Sequence, residues 1–185
     1  VDVTFQIETE AGDPVGDPVT VTTDIDGNIP AGTTLTVPIS TDPGDYVVVG
    51  EGEGDTAEGP LVVAPWTPSV EASGPVKPGQ ATTIASVGWP PATSVTFQLE
   101  DAEGEPVGAP VTVTTDAEGN VPAGTVLTVP VGTEPGDYTV VGTGVEGITA
   151  EATVTVEPWT PTVELSGPVK PGQPTTITSG GWPPL

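Results

Sequence analysis

Short runs in which apolar and polar residues alternate occupy most of this chain. In residues 95–100, for example, Val95, Phe97 and Leu99 share one face and polar residues lie between them. Alternation with a period of two indicates β-strands that bury one face. Between residues 67 and 158 the pattern predicts strands at residues 67–73, 81–87, 95–100, 111–115, 125–131, 137–141 and 149–156.

Turn-forming residues separate these runs and support the fold class. The chain contains 24 prolines and 25 glycines, and no window has apolar residues at the spacing of a helix face. The sequence therefore predicts an all-β protein of tandem seven-stranded immunoglobulin-like β-sandwiches. Tyr138 follows Pro-Gly-Asp at the start of the sixth strand, and Tyr46 occupies the same place in the other copy. Both are expected to form tyrosine corners, in which the hydroxyl bonds to nearby backbone.

The strand pattern belongs to a sequence repeat of about 92 residues. Residues 3–6 recur at 95–98, an offset of 92, and residues 66–68 recur at 159–161, an offset of 93, so one residue is inserted between them. A repeat of this length indicates an array of one structural unit. The expected domains are a partial repeat lacking its first two strands at 1–66, a complete repeat at 67–158, and the first two strands of a further repeat at 159–185.

The two ends of the chain are expected to be matching parts of one domain. Residues 183–185 followed by residues 1–3 read like residues 90–95. Each end would then have open strand edges and an exposed apolar face, which favour association. Two interpretations stay open. The chain is a window of a longer covalent array, or residues 159–185 of one molecule complete the 1–66 half-domain of the next by β-strand complementation.

Four tryptophans mark the junctions and the strand ends. Trp66 and Trp159 lie in Pro-Trp-Thr-Pro segments that join one repeat directly to the next without a flexible spacer. Each is expected either to wedge between neighbouring domains or to cover the core of one domain. Trp89 and Trp182 precede Pro-Pro, and we expect them to form a bend that covers the end of a sandwich. Stacking on a sugar or a protein partner is the alternative.

Charge and composition exclude several classes of function. With 2 basic and 26 acidic residues, the net charge of −24 opposes binding to nucleic acid and to anionic membranes. The chain has no His and no Cys, so it lacks the usual general base, thiolate metal ligands and disulfides. It also has no apolar stretch of the length needed to span a bilayer. We expect no membrane insertion, no catalytic activity and no cofactor.

One acidic turn has the residue spacing of a calcium loop. Asp24, Asp26 and Asn28 alternate with other residues, as the oxygen ligands of such loops do. No bidentate Glu follows at the twelfth position, and Asp-Gly also forms hairpin turns. We therefore expect a turn, and keep Asp24, Asp26 and Asn28 as a weak calcium candidate.

The turn and strand signatures resemble a known group of repeats. Val-Lys-Pro-Gly-Gln at 76–80, Gly-Trp-Pro-Pro at 88–91 and Glu-Pro-Gly-Asp-Tyr at 134–138 are similar to segments of bacterial immunoglobulin-like repeats in actinobacterial and other Gram-positive surface proteins. The resemblance covers the whole chain and implies an extracellular, cell-surface location. Shaft domains of such proteins often contain Lys–Asn isopeptide bonds, but Lys77 and Asn120 are expected in exposed turns.

The resemblance implies a structural repeat region that acts as a rigid stalk or filament shaft. Its partners would be neighbouring copies of the same repeat. One alternative is a fibre subunit that polymerises head-to-tail by strand complementation. The other is a carbohydrate- or protein-binding adhesin module that uses its tryptophans as contacts.

Overall fold

The structure of the chain, a computed structural model, describes residues 1–183. Pro184 and Leu185, which take part in the expected match between the two chain ends, lie outside the described residues. The chain forms two compact units, Val1–Pro65 (unit 1) and Trp66–Leu185. The second contains the complete repeat and the segment that follows it.

Unit 1 consists of one four-stranded antiparallel sheet and the loops that connect its strands. The strands are β1 (Asp2–Thr9), β2 (Pro14–Thr22), β3 (Gly44–Gly52) and β4 (Asp55–Val63), in the order β2-β1-β3-β4. Ile7 of β1 is buried, whereas Phe5 on the same face is only half-buried. The reason is that no second sheet forms within the described residues of this unit.

Residues 67–158 form a β-sandwich of two sheets, called here the complete sandwich. One sheet has the order β11-β10-β7-β8 and the other the order β5-β6-β9. The strands are β5 (Ser69–Ala72), β6 (Ala81–Val87), β7 (Ser94–Glu100), β8 (Pro106–Thr114), β9 (Val126–Thr128), β10 (Gly136–Thr143) and β11 (Thr149–Val156). A parallel bridge between Val76 and Val156 ties the chain after β5 to the last strand.

Only β6 and β11 have the predicted bounds, and the largest differences in length are in β8 and β9. β8 covers Pro106–Thr114 rather than 111–115, because Gly108 at a φ of 78° accompanies a register shift that keeps the strand paired with β7. β9 covers only Val126–Thr128 rather than 125–131, because the following Pro130 has no amide hydrogen with which to extend the ladder.

Trp89 is a fully buried member of the core of the complete sandwich, and its expected role in covering the end of the sandwich stays a prediction. Its side chain is fully buried, and its ring meets Phe97 edge to face with the centroids 6.4 Å apart. The space for the ring comes from β10 and the residue that follows it, because a Cβ on Gly142 or on Gly144 would lie 3.0 Å from ring atoms of Trp89. Other fully buried core residues are Ile84, Val95, Leu99, Leu127, Val129, Val140, Val154 and Val156.

Residues 159–183 contain one antiparallel hairpin, called here the tail hairpin. Its strands are β12 (Thr162–Leu165) and β13 (Ile177–Gly180). Thr162 lies opposite Gly180, which repeats the register of β5 and β6, where Ser69 lies opposite Val87. Every residue of β12 and β13 is exposed, so the tail hairpin has no core of its own.

Candidate functional site at the junction between repeats

Trp159, the junction tryptophan that follows the complete sandwich, packs on a turn of that sandwich. Its indole N–H donates to the carbonyl oxygen of Pro78 at 3.2 Å. The Lys77 ammonium lies 5.2 Å from the centroid of the indole ring, within the range of a cation–π contact. The same ammonium donates to the carbonyl oxygen of Pro158 at 3.4 Å. Two adjacent residues of one turn therefore hold both the ring and the backbone of the junction.

The turn is itself anchored to the last strand of the sandwich. Val76 is buried, and its N–H donates to the carbonyl oxygen of Thr155 at 3.0 Å. The N–H of Glu157 donates back to the carbonyl oxygen of Val76 at 2.8 Å. Because these two hydrogen bonds lie on either side of Val156, the chain leaves β11 directly beside the Lys77–Pro78 turn. Trp159, two residues after Glu157, is therefore close enough to contact the turn.

Further polar contacts shape the turn. The Gln80 side-chain oxygen accepts the N–H of Lys77 at 2.9 Å, and the N–H of Gln80 donates to the carbonyl oxygen of Lys77 at 2.9 Å. Pro78 is buried, and the N–H of Gly79 donates to the carbonyl oxygen of Val129 at 2.9 Å. The acceptor for the Trp159 indole is therefore held by both sheets of the sandwich.

Trp66, the earlier junction tryptophan, has a different environment. Its side chain is 45% exposed, whereas Trp159 is half-buried. At the repeat offset of 93, no residue of the sequence aligns with Lys77 and Pro78 as a partner for Trp66. Trp159 contacts the complete sandwich through Lys77 and Pro78, and whether it also wedges against a following domain stays a prediction.

Both tyrosines bond to backbone a few residues upstream. The Tyr138 hydroxyl donates to the carbonyl oxygen of Glu134 at 2.9 Å, and the Tyr46 hydroxyl donates to that of Asp42 at 2.8 Å. Each bond spans four residues. Each tyrosine thus fixes the turn that leads into its strand, β10 or β3, by a hydrogen bond between residues close in sequence.

The first aspartate of each acidic turn accepts hydrogen bonds from backbone N–H groups of the same turn. Asp24 accepts the backbone N–H groups of Asp26 and Asn28, each at 2.9 Å. The hydrogen bond from the Asn28 backbone is the main cause that lowers the pKa of Asp24 below its ordinary value. Within residues 1–183 no group of three or more Asp, Glu, His or Cys side chains is placed to hold a metal ion. Asp24 and Asn28 therefore shape a turn, and Asp26 contributes its backbone N–H.

Trp182 repeats the local geometry of Trp89 without its burial. The Trp89 indole N–H donates to the Ser86 hydroxyl at 2.6 Å, and the Trp182 indole N–H donates likewise to the Ser179 hydroxyl. Yet Trp89 is fully buried and Trp182 is 56% exposed.

No helix among residues 1–183 is long and apolar enough to cross a membrane.

Sequence reasoning missed the role of Lys77, which it placed only in an exposed turn. A usable signal was present, because Lys77 and Lys170 are the only basic residues of the chain and recur at the same offset of 93 as Trp66 and Trp159. A cation and an aromatic residue that repeat in step are candidates for a contact across the junction.

No family model matches the chain, and no curated protein sequence matches it. Among similar solved structures, a tetra-tandem repeat from the extending region of a large adhesion protein aligns with a TM-score of 0.41 and 20% identity, over 89% of this chain and 43% of that one. An Escherichia coli alpha-2-macroglobulin activated by porcine elastase aligns with a TM-score of 0.36 and 13% identity, over 97% of this chain and 20% of that one.

A third similar structure is the Bacteroides ovatus protein SGBP-B of a mixed-linkage glucan utilization locus, in complex with a mixed-linkage heptasaccharide. It aligns with a TM-score of 0.33 and 18% identity, over 92% of this chain and 42% of that one. The chain thus spans less than half the length of each of the three structures. Since all three TM-scores are low, the fold is assigned from the chain's own strand order and register. By these criteria the chain is built of antiparallel β-sandwich repeats.

Proposed function

We propose that this chain is a structural repeat region of an extracellular bacterial surface protein, in which successive β-sandwiches form a rigid shaft. The observation that carries the proposal is the packing of Trp159 on the Lys77–Pro78 turn of the preceding sandwich. A flexible linker would leave this tryptophan in solvent. Here its N–H and its ring face both have partners on the sandwich that comes before it.

The stiffness would arise from contacts on both sides of Pro158. On one side, Glu157 is bonded to Val76, and on the other, Trp159 is bonded to Pro78. Proline fixes its own φ, so little backbone freedom is left between the two contacts. In an array, each sandwich would hold the chain that enters the next one at a set angle.

The charge of the chain suits the same role. Its net charge of −24 would keep neighbouring shafts apart and in solution. We propose a mechanical role without catalysis or a cofactor, and the partners are neighbouring copies of the same repeat. The two lysines of the chain, Lys77 and Lys170, lie in the turns of the β5–β6 and β12–β13 hairpins.

Backbone ¹⁵N relaxation of the 185-residue chain tests the rigid junction. We expect order parameters near 0.85 at Glu157 and Thr160, which is the value of a rigid backbone. In Trp159→Ala they should fall below about 0.6 at these two residues, the value of a flexible segment. Trp66→Ala is the matched control, because Trp66 is the repeat counterpart of Trp159, and it should leave Glu157 and Thr160 unchanged.

A second variant separates the charge of Lys77 from the size of its side chain. Lys77→Met keeps most of the aliphatic stem but removes the ammonium, so the cation–π contact is lost. A cation–π contact at an exposed site contributes about 0.5–1 kcal/mol. Its loss should therefore accelerate hydrogen exchange of the Trp159 indole N–H about two- to fivefold. Lys170→Met is the control. An order parameter below about 0.6 at Thr160 in the unmodified chain would contradict the rigid-shaft proposal.

A further inference from the structure

Strand β11 lies at the edge of its sheet in the complete sandwich, and most of that edge has no partner strand. On one side β11 pairs with β10 through eight residue pairs without a register shift. On the other side, the parallel bridge between Val76 and Val156 covers only its last residue. Within residues 1–183, no strand pairs with the rest of this edge, residues 149–153. We call these residues the free edge.

The backbone groups of the free edge point away from the sheet. The carbonyl oxygen of Thr155 accepts the N–H of Val76 at 3.0 Å, so the polar groups of Thr155 face outward from β10. Alternate residues of a strand direct their N–H and C=O groups to the same side. Those of Thr153, Glu151 and Thr149 therefore face outward too, and all three residues are exposed. The free edge thus presents a row of unpaired donors and acceptors.

The other edges of the complete sandwich are protected against the addition of a strand. At the opposite edge of the same sheet, β8 contains Pro106 and Pro110 and a register shift in its pairing with β7. The edges of the second sheet are short, with four residues in β5 and three in β9. Proline, irregular pairing and short length are the usual means of protecting an edge. β11 has eight residues, no proline and no lysine, and therefore lacks all of these features.

Unit 1 has a proline at the corresponding position. Pro60 of β4 lies opposite Val47 in β3, as Thr153 of β11 lies opposite Thr139 in β10. Val47 and Thr139 correspond at the repeat offset of 92. Because the N–H of Thr153 points outward, a proline at this position costs the sheet no hydrogen bond and removes one donor from the edge. The two copies therefore differ at a residue on which strand addition depends.

An open groove beside the free edge has room for another strand. Its volume is about 400 Å³. The chain between β5 and the Val76 bridge lines one side and β11 the other, through Ala72, Gly74, Pro75, Thr153, Thr155 and Glu157. Gly74 has no side chain to fill the groove, and a Cβ there would already lie 3.5 Å from Val154.

The side chains along the free edge favour a basic partner. Glu151 and Glu157 lie on the exposed face of β11, on either side of Thr153. Two copies of this chain would bring like charges together, because each has 26 acidic and 2 basic residues. An added strand with basic side chains on this face would instead place opposite charges beside the two glutamates. On the other face it would meet the apolar residues Ala152 and Val154.

We propose that the free edge of β11 and the groove beside Gly74 bind an extended segment of another protein, in which basic and apolar residues alternate. The segment would exchange backbone hydrogen bonds with Glu151 and Thr153 and would extend the sheet by one strand. The complete sandwich would carry this lateral binding site, and unit 1, with Pro60, would not. This goes beyond the shaft function, because a spacer needs no unprotected edge.

NMR titration of the 185-residue chain with the end-capped peptide Lys-Val-Lys-Val-Lys-Val-Lys tests the proposal. The amide N–H groups of Glu151 and Thr153 should exchange at least about tenfold more slowly in the complex, because they gain backbone partners. The peptide Glu-Val-Glu-Val-Glu-Val-Glu should bind at least about tenfold more weakly because of like-charge repulsion. Lys-Val-Lys-Pro-Lys-Val-Lys keeps every lysine but loses a backbone donor, and it should also bind at least about tenfold more weakly.

Thr153→Pro places in the complete sandwich the residue that unit 1 has, without changing the net charge. It should weaken binding of the lysine–valine peptide at least about tenfold, while the amide signals of β10 stay in place. Thr153→Val is the matched control, because it keeps the backbone N–H, and it should bind like the unmodified chain. If Thr153→Pro loses the β10 signals, the comparison of the two lysine peptides on the unmodified chain decides.

Three outcomes would overturn the proposal. The first is a lysine–valine peptide that does not bind up to about 1 mM, the concentration scale of the weakest specific contacts. The second is equal binding of the two lysine peptides, which would show charge attraction without strand addition. The third is slow amide exchange at Glu151 and Thr153 before any peptide is added, which would show that this chain or a second copy already covers the edge. None of these results affects the order parameters at Thr160, so failure here is separable from failure of the rigid shaft.

Discussion

Unit 1 and the complete sandwich have closely similar residues in the same sheet but bury them to different degrees. Phe5 lies opposite Gly50 in unit 1, and Phe97 lies opposite Gly142 in the sandwich, so strand pairing is the same. Phe97 is fully buried and Phe5 only half-buried. The comparison separates two contributions. A sheet forms from its neighbouring strands alone, but burial of its face depends on the other sheet.

The same comparison shows that one strand depends on its partner more than on its own sequence. Leu127 in β9 is fully buried and paired with Thr82, whereas Leu35, its counterpart in unit 1, is half-buried in a segment without strand pairing. Short strands are marginal by themselves. β9 therefore forms because the complete sandwich supplies its partner strand β6, and its three-residue sequence alone is not sufficient.

The largest effect is expected from removing Trp89. Trp89→Ala should destabilise the complete sandwich by about 3–5 kcal/mol, because a fully buried indole leaves a cavity. The measurement is denaturant unfolding followed through amide NMR signals of β10, which report on the complete sandwich. The counterpart variant Trp182→Ala, measured at low concentration, should change the same transition by less than about 0.5 kcal/mol because Trp182 is exposed. Equal effects of the two substitutions would contradict the difference in burial.

A matched pair of leucines tests the second sheet directly. Leu127→Ala should cost the sandwich about 2–5 kcal/mol, the usual range for a buried leucine. Leu35→Ala should cost unit 1 clearly less, because its side chain is already partly in solvent and leaves a smaller cavity. Amide exchange in β10 and β3 reports the two effects separately in one chain. If Leu35→Ala were as costly as Leu127→Ala, unit 1 would have a well-packed core of its own.

A smaller effect is expected from the serine that supports the core tryptophan. The Ser86 hydroxyl accepts from the Trp89 indole at 2.6 Å and donates to the carbonyl oxygen of Ser69 at 2.6 Å. Ser86→Ala leaves the buried indole N–H without this partner, which should cost about 1–3 kcal/mol. Ser179→Ala makes the same change at an exposed tryptophan, where water replaces the hydroxyl, and should cost less than about 0.5 kcal/mol. Both are measured by denaturant unfolding, the first in β10 amides and the second in β13 amides.

The repeat and the period-two pattern predicted the fold class well, because both are local signals. β6 and β11 coincide with the predicted runs 81–87 and 149–156. β11 alternates polar residues with small or β-branched apolar ones, whereas β6 is a run of small and β-branched residues between Gly79 and Gly88. The ends of β8 and β9 were less accurate, because a register shift opposite β7 and the loss of pairing before Pro130 are properties of strand pairs.

The junction and the core could not be predicted because both depend on residues far apart in sequence. The Trp89 ring has room because Gly142 in β10 and Gly144 just after it carry no side chain, and the sequence around Trp89 does not indicate this contact. Lys77 and Trp159 meet because Val76 pairs with Val156. The parallel bridge at Val76 has no signature in the period-two pattern, so the sequence left open whether the junction tryptophan was a wedge or a lid.

The acidic turns supply the smallest expected effect and the finest test of the comparison. In the complete sandwich, Asp116 accepts the backbone N–H of Asn120 at 2.8 Å and its side-chain amide at 3.0 Å, and these bonds lower the pKa of Asp116. In unit 1, the backbone of Asn28 lowers the pKa of Asp24 in the same way. Because the folded pKa is below the unfolded one, the stabilising effect is complete above about pH 4 and disappears as the pH falls through the folded value.

Carbon-detected NMR titration of the two carboxyl groups measures this effect, with Asp116→Asn as a control that keeps the acceptor oxygen but cannot titrate. We expect both carboxyl groups to titrate below the ordinary aspartate value, since every bond involved lies within one five-residue turn. The two turns do differ in one contact, because Gly119 packs on the Trp89 backbone and Gly27 has no such neighbour. If Asp116 alone titrated low, the turn would owe its geometry to the tryptophan seated against it.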